Sequence, residues 1–147
     1  MFQSTFDLER FVDAQVPIYE QVLQELASGQ KRSHWMWFIF PQIQGLGSSP
    51  TARHFAISGM DEAVAYLNHP VLGVRLRECA SLVYAVKGRS VSEIFGYPDD
   101  LKFHSSATLF AEATKRKPAT DSGNQVFGDL LTRYFNGKPD QATLDRL

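Results

Sequence analysis

The chain has 147 residues, of which 44% are hydrophobic and 12% aromatic, and its formal net charge is −1. This near-balance of charge argues against a general nucleic-acid-binding protein, whose affinity depends on a strong excess of Lys and Arg. The one cysteine, Cys79, excludes an internal disulfide. Together with the lack of a signal-peptide pattern and of any apolar run long enough to span a membrane, it favours a cytoplasmic protein. The length predicts a single domain over residues 1–147.

The first half of the chain predicts a succession of helices, and no strand-like alternation of useful length interrupts them. Two helices are predicted over residues 6–16 and 18–30, on either side of a proline. A short aromatic helix follows over residues 34–40, for which Ser33 is a candidate cap. Ser49 precedes a proline, a pairing typical of an N-cap and first helical position.

The second half of the chain contains the clearest helical pattern. Over residues 70–88 the apolar positions form one stripe: Leu72, Leu76, Cys79, Val83 and Val86. Further helices are predicted over residues 60–69, 90–96, 98–114, 124–137 and 140–147. Residues 115–124 (KRKPATDSGN) are rich in turn formers and predict a mobile surface loop. The sequence therefore predicts an all-α fold, a compact single-domain bundle of about nine helices, several of them short, around a central aromatic helix.

The segment KRSHWMWFIFPQ, residues 31–42, has the most unusual composition. On a helical wheel its apolar side chains point in every direction, so burial in the core is the simplest interpretation for Trp37 and its aromatic neighbours. His34 lies beside Trp37 on the wheel. It is either a structural histidine that satisfies one hydrogen bond, or an imidazole that titrates near neutrality or stacks on a planar ligand.

The first two residues of this segment are basic. Lys31 and Arg32 come just before the first turn of the aromatic helix, where unpaired backbone N–H groups carry partial positive charge. This combination favours an anion, although both side chains could equally be solvated surface charges.

A second segment, QGLGSSPTAR, places glycines before a helix start. It lacks the lysine and the preceding strand of a phosphate loop, so a plain loop with a serine cap is preferred.

A third feature lies in YPDDLKFHSSATLFAEA. On a helical wheel Asp99, Lys102 and Ser106 fall inside the apolar arc, whereas His104 and Ser105 lie outside it or at its edge. In a functional interpretation this helix is a pocket wall that supplies an ammonium and a hydroxyl group. In the structural alternative Asp99 pairs with Lys102, and Ser106 is bonded to the preceding turn.

These segments together predict a pocket between the SHWMWF and DLKFHSS helices for an anionic or nucleotide-like small molecule. The candidate ligand-binding residues are Lys31, Arg32, Ser33, His34, Trp37, Lys102, Ser105 and Ser106, and the candidate catalytic residues are His34, Lys102 and Ser106. The alternative is a non-catalytic protein-interaction domain in which the same residues are structural. No local His or Cys spacing predicts a metal site, and the sequence identifies neither a cofactor nor an oligomeric state.

Several segments resemble the domain of unknown function 1810 family, which comprises small bacterial and fungal proteins sometimes labelled calpastatin. They are FDLERFVDAQ, KRSHWMWFIFPQ, GLGSS, YLNHPVLGVRL, EIFG, DLKFHSSATLF and YFNGKPDQATL. The likeness runs from about Phe6 to the C-terminus, and SHWMWFIFPQ is its most specific part. The resemblance implies an all-α single domain. It implies no established activity and supplies no catalytic residues.

Overall fold

Helices make up the regular structure of residues 6–116 and 122–147, which are the residues that this computed structural model describes. Within these ranges a single bridge between Ile43 and Ile57 is the only β-type pairing. The helices are, in chain order, α1 (Glu9–Gln15), α2 (Tyr19–Ser28), α3 (Met36–Ile39), α4 (Pro50–His54), α5 (Met60–Asn68), α6 (Leu72–Ala85), α7 (Val91–Phe95), α8 (Asp99–Arg116), a 3-10 helix (Ser122–Gln125), α9 (Val126–Phe135) and α10 (Gln141–Leu144). The all-α prediction is confirmed, with ten α-helices in the described ranges where about nine were expected.

Local sequence explains several helix ends. Gly29 ends α2 in the left-handed region at φ 77°, where a residue without a Cβ atom is favoured. Ser49 caps α4 by accepting a hydrogen bond from the amide of Ala52 at 3.1 Å. Ser90 and Glu93 form a reciprocal capping box at the start of α7.

The long helices α6 and α8 organise the packing. α8 packs against α5, α7, α9 and α10, and α6 packs against α2, α5 and α9. Residues 105–111 of α8 are buried without a break, as expected for a helix covered on all sides. The predicted stripe on α6 is buried over Leu72, Leu76, Cys79 and Val83, and the helix ends before Val86.

The aromatic segment enters the core as predicted, but its helix is shorter than predicted. Trp35 and Phe40 are buried, and the Phe40 ring meets Phe103 edge-on with the centroids 5.0 Å apart. Trp37 and Phe38, however, are only half-buried, so the prediction that the whole segment is core is wrong for these two side chains. Within the one-turn helix α3 only Met36 and Ile39 are buried, so one face of the helix packs inward.

Two local predictions need correction. Ser33 does not cap α3, because the helix begins at Met36 and the Ser33 hydroxyl instead donates to Glu25 at 2.7 Å. Both described parts of the predicted loop over residues 115–124 are helical, since Lys115 and Arg116 complete α8 and residues 122–125 form the 3-10 helix. Arg77, which belongs to α6, donates a hydrogen bond of 2.7 Å to the Asn124 side chain in that 3-10 helix. Residues 117–121 lie outside the described residues.

Candidate functional site

In the segment for which the sequence predicts an anionic ligand, the backbone contacts a carboxylate of the same chain, that of Glu25. Its Oε1 accepts from the backbone amides of Arg32 at 2.7 Å and Ser33 at 3.0 Å, and from the indole of Trp35 at 2.9 Å. Its Oε2 accepts from the Ser33 hydroxyl at 2.7 Å and from Gln21 at 2.9 Å. The amides that precede α3 are therefore occupied by a carboxylate from α2.

These hydrogen bonds decide the ionisation of Glu25. Burial by itself would raise the pKa of this carboxyl, because it disfavours the charged form. The hydrogen bonds from Arg32, Ser33, Gln21 and Trp35 stabilise the carboxylate more strongly and lower its pKa to about 2. Glu25 is therefore charged at neutral pH, and it is too weak a base to accept a proton from a substrate there.

Lys31 and Lys102 share one carboxylate. The Lys31 ammonium lies 2.7 Å from Asp99 Oδ2, and the Lys102 ammonium lies 3.6 Å from Asp99 Oδ1. Each lysine also covers an indole ring at 5.1 Å from the centroid, Lys31 over Trp35 and Lys102 over Trp37. The Asp99–Lys102 pair proposed from the sequence is present, and Lys31 is the closer partner of the same carboxylate. The cluster keeps one formal positive charge in excess.

Trp37 contacts this cluster through the Lys102 ammonium. Trp37 is half-buried and lines a depression of about 10 Å³ with Phe55, which is room for a single water molecule. His34 is exposed. The Trp37 ring lies beside the Lys102 ammonium, and any ligand that reached Trp37 or His34 would be largely open to solvent.

His104 and Ser105 attach the C-terminal segment to α8. His104 Nε2 lies 2.8 Å from the carbonyl of Lys138, and its ring stacks on Phe135 at 3.9 Å. The Ser105 hydroxyl lies 3.0 Å from the Asp140 carboxylate. That carboxylate also caps α10 by accepting from Thr143 at its amide and at its hydroxyl. These contacts give His104 and Ser105 a structural role.

Ser106 is the exception in this region. Its side chain is 1% exposed, and its hydroxyl has no hydrogen-bond partner among the residues that the structure describes. The back-bond to the preceding turn that the sequence suggested for Ser106 is made by Ser105 instead, whose hydroxyl lies 3.2 Å from the Leu101 carbonyl. A buried hydroxyl without a partner costs free energy of folding.

Sequence reasoning missed the two carboxylates at the centre of these contacts, Glu25 and Asp140. A signal for Glu25 was present, because it falls between Val22 and Leu26 on the buried face of α2. A charged residue on such a face requires strong partners. Asp140 stands three residues before Thr143, the spacing typical of an N-cap.

No side chains in residues 6–116 and 122–147 form a group of three or more His, Cys, Asp or Glu that could hold a metal ion. None of the helices in the same ranges is long and apolar enough to cross a membrane.

The comparisons with known proteins define the family. The family model described as "Protein of unknown function (DUF1810)" matches residues 5–147, and the chain belongs to this family. The solved structure of a conserved hypothetical protein, Rv1873 from Mycobacterium tuberculosis, is similar to this chain. The two are 54% identical in sequence over 98% of each chain, with a TM-score of 0.91. The search of curated proteins found no match.

Proposed function

We propose that this protein is a non-catalytic interaction domain, and that a partner protein binds at the start of α8. The observation that carries this proposal is the exposure of Tyr97, which is 81% accessible, next to Leu101, which is 55% accessible. Pro98 between them is exposed as well. We call these three residues the Tyr97 surface.

The composition of the Tyr97 surface supports this proposal. An exposed leucine by itself has no significance. Here, however, an aromatic, a proline and a leucine lie within five residues, and the half-buried Trp37 lies beyond Lys102. Tyrosine and tryptophan are enriched at the centres of protein interfaces, where they bury a large area with few rotatable bonds.

Several of the candidate ligand-binding residues already have partners within the protein, which also supports an interaction domain. Lys31 is paired with Asp99, Ser33 with Glu25 and Ser105 with Asp140. A ligand that used these groups would have to replace hydrogen bonds that the fold already makes. If these residues are structural, none of these hydrogen bonds has to be replaced.

A photo-crosslinking amino acid at position 97 tests the proposal in cells. We expect one adduct of defined mass, and we expect Leu101→Glu to abolish it because a charge would then face the apolar partner. The matched control is the same amino acid at Val74, which is 60% exposed on α6. No adduct at position 97, or equal adducts at positions 97 and 74, would contradict the proposal.

Binding of an anionic or nucleotide-like molecule at Lys31, Lys102, His34 and Trp37 is the second candidate function. The excess positive charge of the Lys31–Asp99–Lys102 cluster, beside a half-buried indole, favours it. A thermal-shift screen with nucleotides, ADP-ribose, sugar phosphates and dicarboxylates tests it, since a bound ligand raises the melting temperature. A rise that Lys102→Met abolishes would support this function over the interaction domain.

A further inference from the structure

A groove runs along the outer face of α2, where Glu20 and Gln24 form part of one wall and Arg32 contributes from the segment that follows the helix. The groove has a volume of about 540 Å³ and is shallow and open to solvent, so a ligand would be held mainly by its polar contacts. Of the candidate ligand-binding residues predicted from the sequence, the groove includes Arg32, and it does not include the Tyr97 surface.

Two of the three charged side chains that line the α2 groove, Glu20 and Arg32, make no contact with a polar partner among the described residues. Glu20 and Arg32 are both exposed. Neither side chain makes a hydrogen bond or an ion pair with another residue in the described part of the chain. The backbone of Arg32 is nevertheless fixed, because its amide donates to Glu25 at 2.7 Å. The guanidinium group thus extends from an anchored position and keeps all of its donors.

The charges of the α2 groove select the ligand. Arg32 would attract an anion, but Glu20 and Glu25 also line the groove, so its formal charge is −1. The oxygens of Glu25 are already taken by donors within the protein, which leaves Glu20 as the carboxylate that is free to accept. A simple anion would be repelled by Glu20, and a simple cation by Arg32. A ligand that carries one charge of each sign avoids both penalties.

We propose that the α2 groove binds a small zwitterion with a carboxylate and an ammonium group, of the class of α-amino acids and dipeptides. The carboxylate would accept paired hydrogen bonds from the planar guanidinium of Arg32. The ammonium would donate to Glu20, and the amide of Gln24 would supply a donor and an acceptor for a peptide group. Recognition through these termini is independent of the ligand's side chains.

Titration of the isotope-labelled protein with the dipeptide alanyl-alanine, followed by NMR, tests the proposal. We expect chemical-shift changes centred on residues 20–33. We expect binding to weaken at least about tenfold, or about 1.4 kcal/mol, when the ammonium is acetylated or the carboxylate is converted to an amide. Arg32→Gln and Glu20→Gln should each have a similar effect, whereas Arg53→Gln, a change at another exposed arginine, should have none.

Three outcomes would overturn this inference: no shifts around the α2 groove, equal binding of the blocked and free dipeptides, or equal binding by the Arg32→Gln variant. Because Glu20 and Arg32 are exposed and unpaired, we expect both variants to fold. A negative result at the α2 groove would not count against the proposed partner site at the Tyr97 surface, since the chemical shifts of residues 97–101 are a separate readout in the same spectra.

Discussion

The Glu25 carboxylate accepts a hydrogen bond of 2.9 Å from the indole nitrogen of Trp35, and both side chains are buried. This contact joins α2 to the aromatic segment and places a full negative charge beside the core. The charge is tolerated because further donors surround it, two of them backbone amides. The polar residues at the start of the aromatic segment therefore donate hydrogen bonds to a carboxylate of the same chain.

The first prediction concerns the pH dependence of folding. The pKa of Glu25 is about 2 in the folded protein against an ordinary value of 4.5. A lowered pKa contributes stability that is present above the unfolded value and is lost as the pH falls through the folded value. We therefore expect Glu25 to contribute roughly 3 kcal/mol at neutral pH and to lose this contribution between about pH 5 and pH 2.

Urea unfolding of the wild type and of Glu25→Gln at several pH values measures this contribution. The glutamine variant should be less stable at pH 7, and the difference should shrink as the pH is lowered to 2. Other carboxyl groups titrate in both proteins and cancel in the comparison. A difference that stays constant with pH would show that Glu25 ionises normally.

The second prediction separates the two lysines that share Asp99. Lys102→Met should change the free energy of unfolding by no more than about 1 kcal/mol, because Asp99 keeps the closer Lys31. Lys31→Met should cost about 2–3 kcal/mol, since the Lys31 side chain is 6% exposed and its loss leaves Asp99 with the more distant partner.

A double-mutant cycle provides the control for this pair. Asp99→Asn in the Lys31→Met background should restore much of the lost stability, because it removes the carboxylate that was left poorly paired. Equal costs for the two lysine changes would show that the Lys31 contact is no stronger than the Lys102 contact.

The third prediction uses two adjacent serines. Ser106→Ala should leave stability unchanged or raise it by up to about 1 kcal/mol, because it removes a buried hydroxyl that lacks a partner. Ser105→Ala should lower stability by about 1–2 kcal/mol, since it removes one of the donors to the Asp140 carboxylate, which keeps only those of Thr143. Thermal unfolding followed by circular dichroism measures both, and a large loss at Ser106 would reveal a partner for its hydroxyl.

The fourth prediction ranks the two tryptophans. Trp35→Ala should cost about 3–5 kcal/mol or more, because the side chain is fully buried and also donates to Glu25. Trp37→Ala should cost less, about 1–3 kcal/mol, because half-buried rings lose less contact when truncated. Chemical denaturation followed by circular dichroism gives both values. The reverse order would place Trp37, and not Trp35, at the centre of the core.

The local features of this fold could be predicted from sequence. The apolar stripe of α6, the Gly29 end of α2 and the Ser49 cap of α4 depend on residues within a few positions of one another. Helix periodicity and capping act over that range, so their signals are contained in short segments.

The occupants and partners at the candidate site were decided by tertiary structure. Nothing near Lys31 in the chain indicates Asp99 as its partner, and nothing near Ser105 indicates Asp140. Such pairs form because packing brings separate helices together, and a charged or polar group is then satisfied by whichever opposite group is nearest in space. The sequence by itself therefore determined the helices and the residues that need partners. Only the packing of α2, α3, α8 and α10 decided that most of those residues are satisfied within the protein, and that the Arg32 side chain has no partner in the part of the chain that the structure describes.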